Sequence, residues 1–396
     1  MTEREIKDNI EICRKKFEIH MNGFDGKELY ELPACGDRKY HSHSKGNNLL
    51  DMYSWVASFV SGLAPIYYLE SGDRKYIDWA YKFKEAYHEK VFEYPLDTMH
   101  DLGFLYIPYC INLYNITNDS DFKNDALKAA DELLKRFDIN GRYIDAWRRM
   151  DSDEGTGRAI IDCMMNIPLL LWAWKTTGNT IYRDVAKAHA DMTEKIFIRK
   201  DKTVCHSFEF DRNTGEVLHE SNCCGFGNGS YWSRGVSWAI YGFAVAARYL
   251  QEDKYYNTAM ELLDKYLDSL DENDIVPVWD FCLPDKEPAK IATNCPSEAS
   301  WDESDIKNRE FNKDSSAAAV VACACMELLK HEDNERLKAV VQASLNILCS
   351  DKYFNKDINV EGILKRQNGQ MVYATYGDYY FVQFLYMCID NKINLW

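Results

Sequence analysis

Gly178-Asn179-Thr180-Ile181-Tyr182, with Ala186 four residues further on, is the stretch whose reading decides the fold. An apolar segment, residues 160–174, precedes it, and an amphipathic one, residues 182–196, follows. A helix that is apolar all round is buried, and one with a single apolar stripe lies outside it. The polar turn between them carries Asn, which suits a turn and a helix N-cap. The same unit recurs along the chain. It appears as Gly72-Asp73-Arg74-Lys75-Tyr76 leading to Ala80, and as Asn118-Asp119-Ser120-Asp121-Phe122 leading to Ala126. It returns as Glu252-Asp253-Lys254-Tyr255-Tyr256 leading to Ala259, and more weakly as His331 to Leu337 leading to Ala339. A recurring helical hairpin marks a repeat architecture. A sixth apolar segment, residues 379–388, has no helix after it, and an amphipathic segment, about residues 3–20, stands unpaired at the start. Pairing the first with the last closes a ring of six inner and six outer helices. The expectation is an all-α (α/α)6 barrel of six helical hairpins, a single domain over residues 1–396. An open solenoid is the rival, and the unequal repeat lengths favour closure. Repeat spacing grows along the chain, so long loops precede the inner helices, where function tends to sit.

Composition narrows the partners. The 396 residues carry a net charge of −16, which repels nucleic acid and long polyanions. An anionic ligand would have to be small and held locally by Arg or Lys. Ten Trp, 26 Tyr and 18 Phe serve either core packing or stacking on sugar rings. The charged start Met1 to Lys7 has no apolar stretch of signal-peptide type, and no segment is long and apolar enough to span a bilayer, so a cytoplasmic location is expected. The 13 cysteines are odd in number and show no CxxC or metal-ligand spacing. Cys323 and Cys325 lie in an apolar run, and the expectation is reduced, buried thiols. There is no P-loop, no GxGxxG opening a helix, no GxSxG and no HExxH, so nothing points to a metal or an organic cofactor.

Two carboxylates stand out. Asp162 lies with Arg158 and Asn166 at four-residue spacing, which places all three on one face of an apolar helix. An ionised Asp among Ile and Met is costly unless paired, so the trio is either a buried structural network or a site. Asp101, in Met99-His100-Asp101-Leu102-Gly103-Phe104, opens the second inner helix, where an Asp is most often an N-cap. In a closed ring the starts of neighbouring inner helices meet at one rim, and two carboxylates at close range can divide acid and base roles. The same rim collects Trp55, Trp147-Arg148-Arg149, Trp232-Ser233-Arg234-Gly235 with Trp238, Asp314-Ser315-Ser316 and Tyr376-Gly377-Asp378-Tyr379-Tyr380. Asp314 and Asp378 read as helix caps. The arginines could hold an anion locally.

Several of these segments together resemble the unsaturated glucuronyl hydrolases, glycoside hydrolase family 88. They are His100-Asp101-Leu102-Gly103-Phe104, Ile161-Asp162-Cys163-Met164-Met165-Asn166, Trp232-Ser233-Arg234-Gly235 with Trp238, Asp314-Ser315-Ser316-Ala317 and Asp378-Tyr379-Tyr380, in order over nearly the whole chain. The resemblance implies an (α/α)6 barrel, no cofactor or metal, and a small anionic unsaturated oligosaccharide as substrate. It also implies an unusual reaction: hydration of the 4,5 double bond of an unsaturated uronate, after which the hemiketal opens and the glycosidic bond is lost. By motif, Asp162 would protonate carbon 4 and activate the water that adds at carbon 5, and Asp101 would be its partner. Trp55, Trp147 and Trp238 would line the sugar, with His100 and His206 nearby and Arg234 near the uronate carboxylate. The sequence departs from the family at Cys223-Cys224, where His-Gln-type residues are common, at Val236, commonly Gln, and at Val60, often Trp. It also adds an acidic stretch, about residues 295–310. The alternatives are an unsaturated rhamnogalacturonyl hydrolase acting on pectin fragments, a catalytically altered sugar-binding homologue, and a barrel epimerase, whose paired histidines are missing from the inner helices.

Overall fold

A computed structural model describes residues 1–23, 30–33, 40–42, 54–152, 156–227, 229–271, 274–284, 289–290, 306–307, 309, 311–369 and 372–396. The helices are α1 (Glu3–Gly23), α2 (Ala57–Ser61), α3 (Leu63–Ser71), α4 (Lys75–Ala80), α5 (Lys84–Phe92), α6 (Leu102–Tyr106), α7 (Asn112–Thr117) and α8 (Ser120–Leu134). They continue as α9 (Ile167–Thr177), α10 (Thr180–Ile196), α11 (Ser233–Leu250), α12 (Asp253–Asp268), α13 (Ser315–Leu328), α14 (Glu335–Leu348) and α15 (Thr375–Ile389). The inner layer is α2–α3, α6–α7, α9, α11, α13 and α15. The outer layer is α1, α4–α5, α8, α10, α12 and α14. Burial separates the two: every residue of α13 is buried, whereas α10 buries one stripe. The ring closes because α15 packs on both α1 and α2–α3. This is the (α/α)6 barrel read from the repeats.

The hairpin turns work as their residues demand. Gly72, Asn118, Gly178 and Gln251 end inner helices with positive φ. Asp119, Asn179 and Asn334 cap the next helix through their side chains. The alanines Ala80, Ala126, Ala186 and Ala259 are fully buried where outer helices press on inner ones, while Ala339 of the weak fifth copy is exposed and Leu337 and Val340 pack in its place.

Three inner helices are not continuous: α2 gives way to α3 at Gly62, and proline interrupts the other two. Pro108 lies in a π-helical segment, Ile107–Ile111, between α6 and α7. Pro168 sits in the first turn of α9, the one part of a helix that tolerates it. The helix read over 160–174 therefore begins at Ile167, and Asp162 lies in a 3-10 turn, Ile161–Met165. Short strands fill the loops: β1 (Tyr30–Pro33) with β2 (Tyr40–Ser42), β3 (Phe137–Asp138) with β4 (Tyr143–Ile144), a sheet of β5 (Thr156–Ile160), β6 (Ser207–Asp211) and β7 (Val217–Ser221), and β8 (Ala289–Lys290) with β9 (Ile306–Lys307). All pair antiparallel. Most of the acidic stretch near 295–310 lies outside the described residues.

Among the described residues ten cysteines are free, Cys323 and Cys325 among them, but Cys223 is disulfide-bonded, which corrects the expectation of uniformly reduced thiols. Among the described residues, no helix is long and apolar enough to cross a membrane.

Candidate active site

One asparagine joins the Asp101 carboxylate to the backbone of Asp162. Asn166 Nδ2 donates to Asp101 Oδ1 at 3.2 Å and to the Asp162 carbonyl at 3.2 Å, and its Oδ1 accepts the Phe104 amide at 2.9 Å. Glycine permits this approach: a Cβ on Gly103 would lie 2.4 Å from Asn166 Cα. On the far side of the Asp162 turn, a Cβ on Gly242 would meet the Met164 carbonyl at 2.4 Å. The start of α6, the 3-10 turn and α11 are thus locked face to face.

Asp101 stands at the N-cap position of α6 but makes no capping bond. Its carboxylate faces inward, buried, with His100 Nε2 at 3.2 Å from Oδ1. Burial first, and the charge of Asp162 second, push its carboxyl pKa well above the ordinary value. Asp162 is more open, with 15% of its side chain exposed, and its Oδ2 has no hydrogen-bond partner among the described residues.

Each aspartate has an imidazole beside it, oriented by main-chain amides. Trp147 N–H donates to His100 Nδ1 at 3.4 Å, and Cys223 N–H donates to His206 Nδ1 at 2.9 Å. An accepting Nδ1 leaves the ring proton on Nε2. His206 Nε2 then points toward Asp162 Oδ2, 3.7 Å away. Burial, aided by the nearby Arg136 charge, holds His100 neutral, its pKa well below the ordinary imidazole value. His206 reaches this place through strand pairing: the β5–β6 ladder continues as Ile161 N–H to the His206 carbonyl at 2.9 Å.

Arg234 lies across the rim, buried between the rings of Trp232 and Tyr376, its Cζ 4.7 and 4.8 Å from their centroids. Its Nη1 donates to Asp314 Oδ2 at 3.2 Å and to Asn368 Oδ1 at 3.0 Å, while its Nε is buried without a partner among the described residues. Trp55 stacks on Tyr376 with centroids 5.0 Å apart, and Trp147 is half-buried beside His100 and His206.

Other expectations need correction. Arg158 does not share a helical face with Asp162. It belongs to β5, where its guanidinium pairs with Glu209. Trp238 is fully buried between Phe104 and Tyr380, so in this structure its ring is part of the core and offers no open face to a sugar. Asp314 caps α13 as read, but Asp378 does not cap α15. It lies in the first turn and accepts from the amides of Ile363 and Leu364 and from Gln367 Nε2. Val60 and Val236, at two of the departures from the family, are both buried. Asn368 and Glu209 escaped the sequence reading. Asn368 lies in a polar loop and Glu209 in a strand pairing with β5, and neither carries a local signature.

Residues 34–274 match the model of Glycosyl Hydrolase Family 88. The chain is 32% identical to the unsaturated glucuronyl hydrolase of Bacillus sp. (strain GL1) over 92% of this chain and 94% of that one. It is 29% identical to an unsaturated chondroitin disaccharide hydrolase of Streptococcus pyogenes serotype M1, over 97% of this chain and 91% of the relative. The crystal structure of unsaturated glucuronyl hydrolase from Streptococcus agalactiae superposes with a TM-score of 0.84 at 27% identity, covering 100% of this chain and 94% of that chain. With its barrel, its two facing aspartates and these matches, the chain belongs to glycosyl hydrolase family 88 and is a glycoside hydrolase.

Proposed function

We propose that this enzyme releases 4,5-unsaturated glucuronic acid from lyase-generated disaccharides of the glycosaminoglycan type, and that the whole chain acts as one catalytic domain. The observation that carries this reading is the Asn166 bridge between a buried Asp101 and the turn of Asp162, in a chain whose relatives are named for unsaturated glucuronyl and chondroitin disaccharides. Burial and the charge of Asp162 favour the neutral form of Asp101, so that carboxyl keeps its proton in the site. Asp162, whose side chain is partly exposed, transfers a proton to carbon 4 of the vinyl ether. It then takes a proton from the water that adds at carbon 5. The product is a hemiketal, which opens and expels the second sugar. His206 presents its Nε2–H toward the Asp162 carboxylate from 3.7 Å. Arg234 gives Nη1 to Asp314 and Asn368 and keeps its other N–H donors for the uronate carboxylate. Trp55 and Trp147 edge the sugar. Trp238 supports Phe104 from the core.

The test is loss of the ultraviolet absorbance of the double bond with unsaturated disaccharides from chondroitin, hyaluronan and heparin, and with an unsaturated rhamnogalacturonyl disaccharide. Turnover of the first group is expected. Turnover of the pectin-derived compound alone would move the enzyme to the rhamnogalacturonyl class, and binding without turnover would make it a sugar-binding homologue.

A further inference from the structure

Trp147 is held in a backbone conformation that tryptophan avoids. Its φ is +61°, and Arg148 N–H donates to the Ala146 carbonyl at 2.8 Å, so Trp147 is the centre of a γ-turn of the strained, positive-φ kind. Such a turn persists only where its surroundings over-determine it. The flanking backbone is well secured. Asp145 N–H donates to the Arg136 carbonyl at 2.9 Å, Ala146 N–H to the Arg158 carbonyl at 2.8 Å, and Arg136 Nη1 to the Arg148 carbonyl at 2.8 Å. None of these bonds sets the angle of the indole ring.

Arg158 does. Its Cζ lies 5.2 Å from the Trp147 ring centroid, and its Nε donates to Glu209, its partner across the β5–β6 ladder. The Glu209 side chain is 6% exposed and also accepts from Thr156 Oγ1 at 3.0 Å and Ser221 Oγ at 3.3 Å. The guanidinium is therefore tethered on one side and lies over an aromatic face on the other, an attraction that strengthens when water is excluded. The indole, in turn, lies at 6.2 Å from His100 and 6.3 Å from His206, the imidazoles beside the two aspartates. Neither Arg158 nor Glu209 has a part in the proton transfers above.

We propose that the Arg158–Glu209 pair is a positioning device for Trp147: the tethered guanidinium sets the indole plane between the two imidazoles and presents it to the substrate sugar. This rests on the function proposed above. Arg158 and Glu209 act on the substrate only through Trp147.

The experiment compares Arg158→Gln, Arg158→Lys, Glu209→Gln, Trp147→Phe, and the doubles Arg158→Gln/Trp147→Phe and Arg158→Gln/Glu209→Gln. The readouts are steady-state kinetics on an unsaturated chondroitin disaccharide and near-ultraviolet circular dichroism without ligand. Arg158→Gln should raise KM about threefold to tenfold with little change in kcat, and Arg158→Lys should restore part of the loss. In the Trp147→Phe background, Arg158→Gln should add nothing, as for residues acting through one contact. The dichroic band lost in Trp147→Phe should also weaken in Arg158→Gln. If Arg158→Gln folds poorly, the Arg158→Gln/Glu209→Gln double leaves no unpaired carboxylate and should give the same KM shift. Multiplicative effects of the Arg158 and Trp147 substitutions, or an unchanged indole band in Arg158→Gln, would overturn the proposal. A wild type that turns over no unsaturated disaccharide would overturn the function instead, and the dichroism would still decide whether Arg158 positions Trp147.

Discussion

Asp101 and Asp162 share an asparagine and differ in almost everything else. Asp101 is buried at the mouth of α6, held by Asn166 and facing His100 at 3.2 Å. Asp162 sits in a 3-10 turn, partly open, with an unpaired Oδ2 and His206 at 3.7 Å. Ionising a buried carboxylate costs several kcal/mol unless it is paired, and the neighbour of Asp101 is another acid. The difference teaches which group can do chemistry at carbon. A carboxyl that is enclosed and bonded sets the charge state of the pair, and the one whose side chain is partly exposed meets the substrate.

The largest effect should come from Asp162→Asn. Activity in the absorbance assay should fall by about 10³-fold, within the range for a lost general acid–base, while the thermal midpoint barely moves because the lost oxygen has no partner. Full activity in this variant would break the division of roles. Asp101→Asn should cost less activity, about 10²-fold, and should change the pH dependence of stability. The folded pKa of Asp101 is raised above its unfolded value, so its neutral form is favoured in the fold. Stability is greatest below the unfolded pKa and declines as pH rises toward the folded one. Urea melts from pH 4 upward should show this decline in the wild type and a shallower one in Asp101→Asn. Next, Asn166→Ala leaves the Phe104 amide without its acceptor and releases the Asp101 carboxylate and the Asp162 carbonyl. Destabilisation of about 1–3 kcal/mol by chemical denaturation and roughly tenfold lower kcat are expected. The smallest effect belongs to His206→Gln. The imidazole is beyond hydrogen-bond length from Asp162, and a few-fold drop in kcat, with the Asp162→Asn background insensitive to it, would place its action on that carboxylate. A larger loss from Asp101→Asn than from Asp162→Asn would reverse the comparison altogether.

Much of this site was readable because its signals are local. The capped turns at Asp119, Asn179 and Asn334 follow from residue chemistry a few positions apart. Asp314 reads as a cap and is one, whereas Asp101, in the equivalent place, is not. The two differ in what surrounds them: a cap needs only the next turn of its own chain, but the carboxylate of Asp101 is claimed by Asn166, which belongs to another hairpin. The break before α9 was also present in the sequence, as Pro168, yet the regular spacing of Arg158, Asp162 and Asn166 masked it.

By itself, the sequence determined the recurring helical hairpins, their division into inner and outer layers, the closed ring and the two candidate aspartates. These depend on periodicity, capping and proline chemistry, which act over a turn or two of chain. Only the tertiary structure decided which aspartate is enclosed, that His206 arrives by pairing of β6 with β5, that Trp238 packs into the core, and that Arg158 turns toward Glu209 and Trp147. Burial and strand pairing are sums over neighbours that are remote along the chain, and no local pattern carries them.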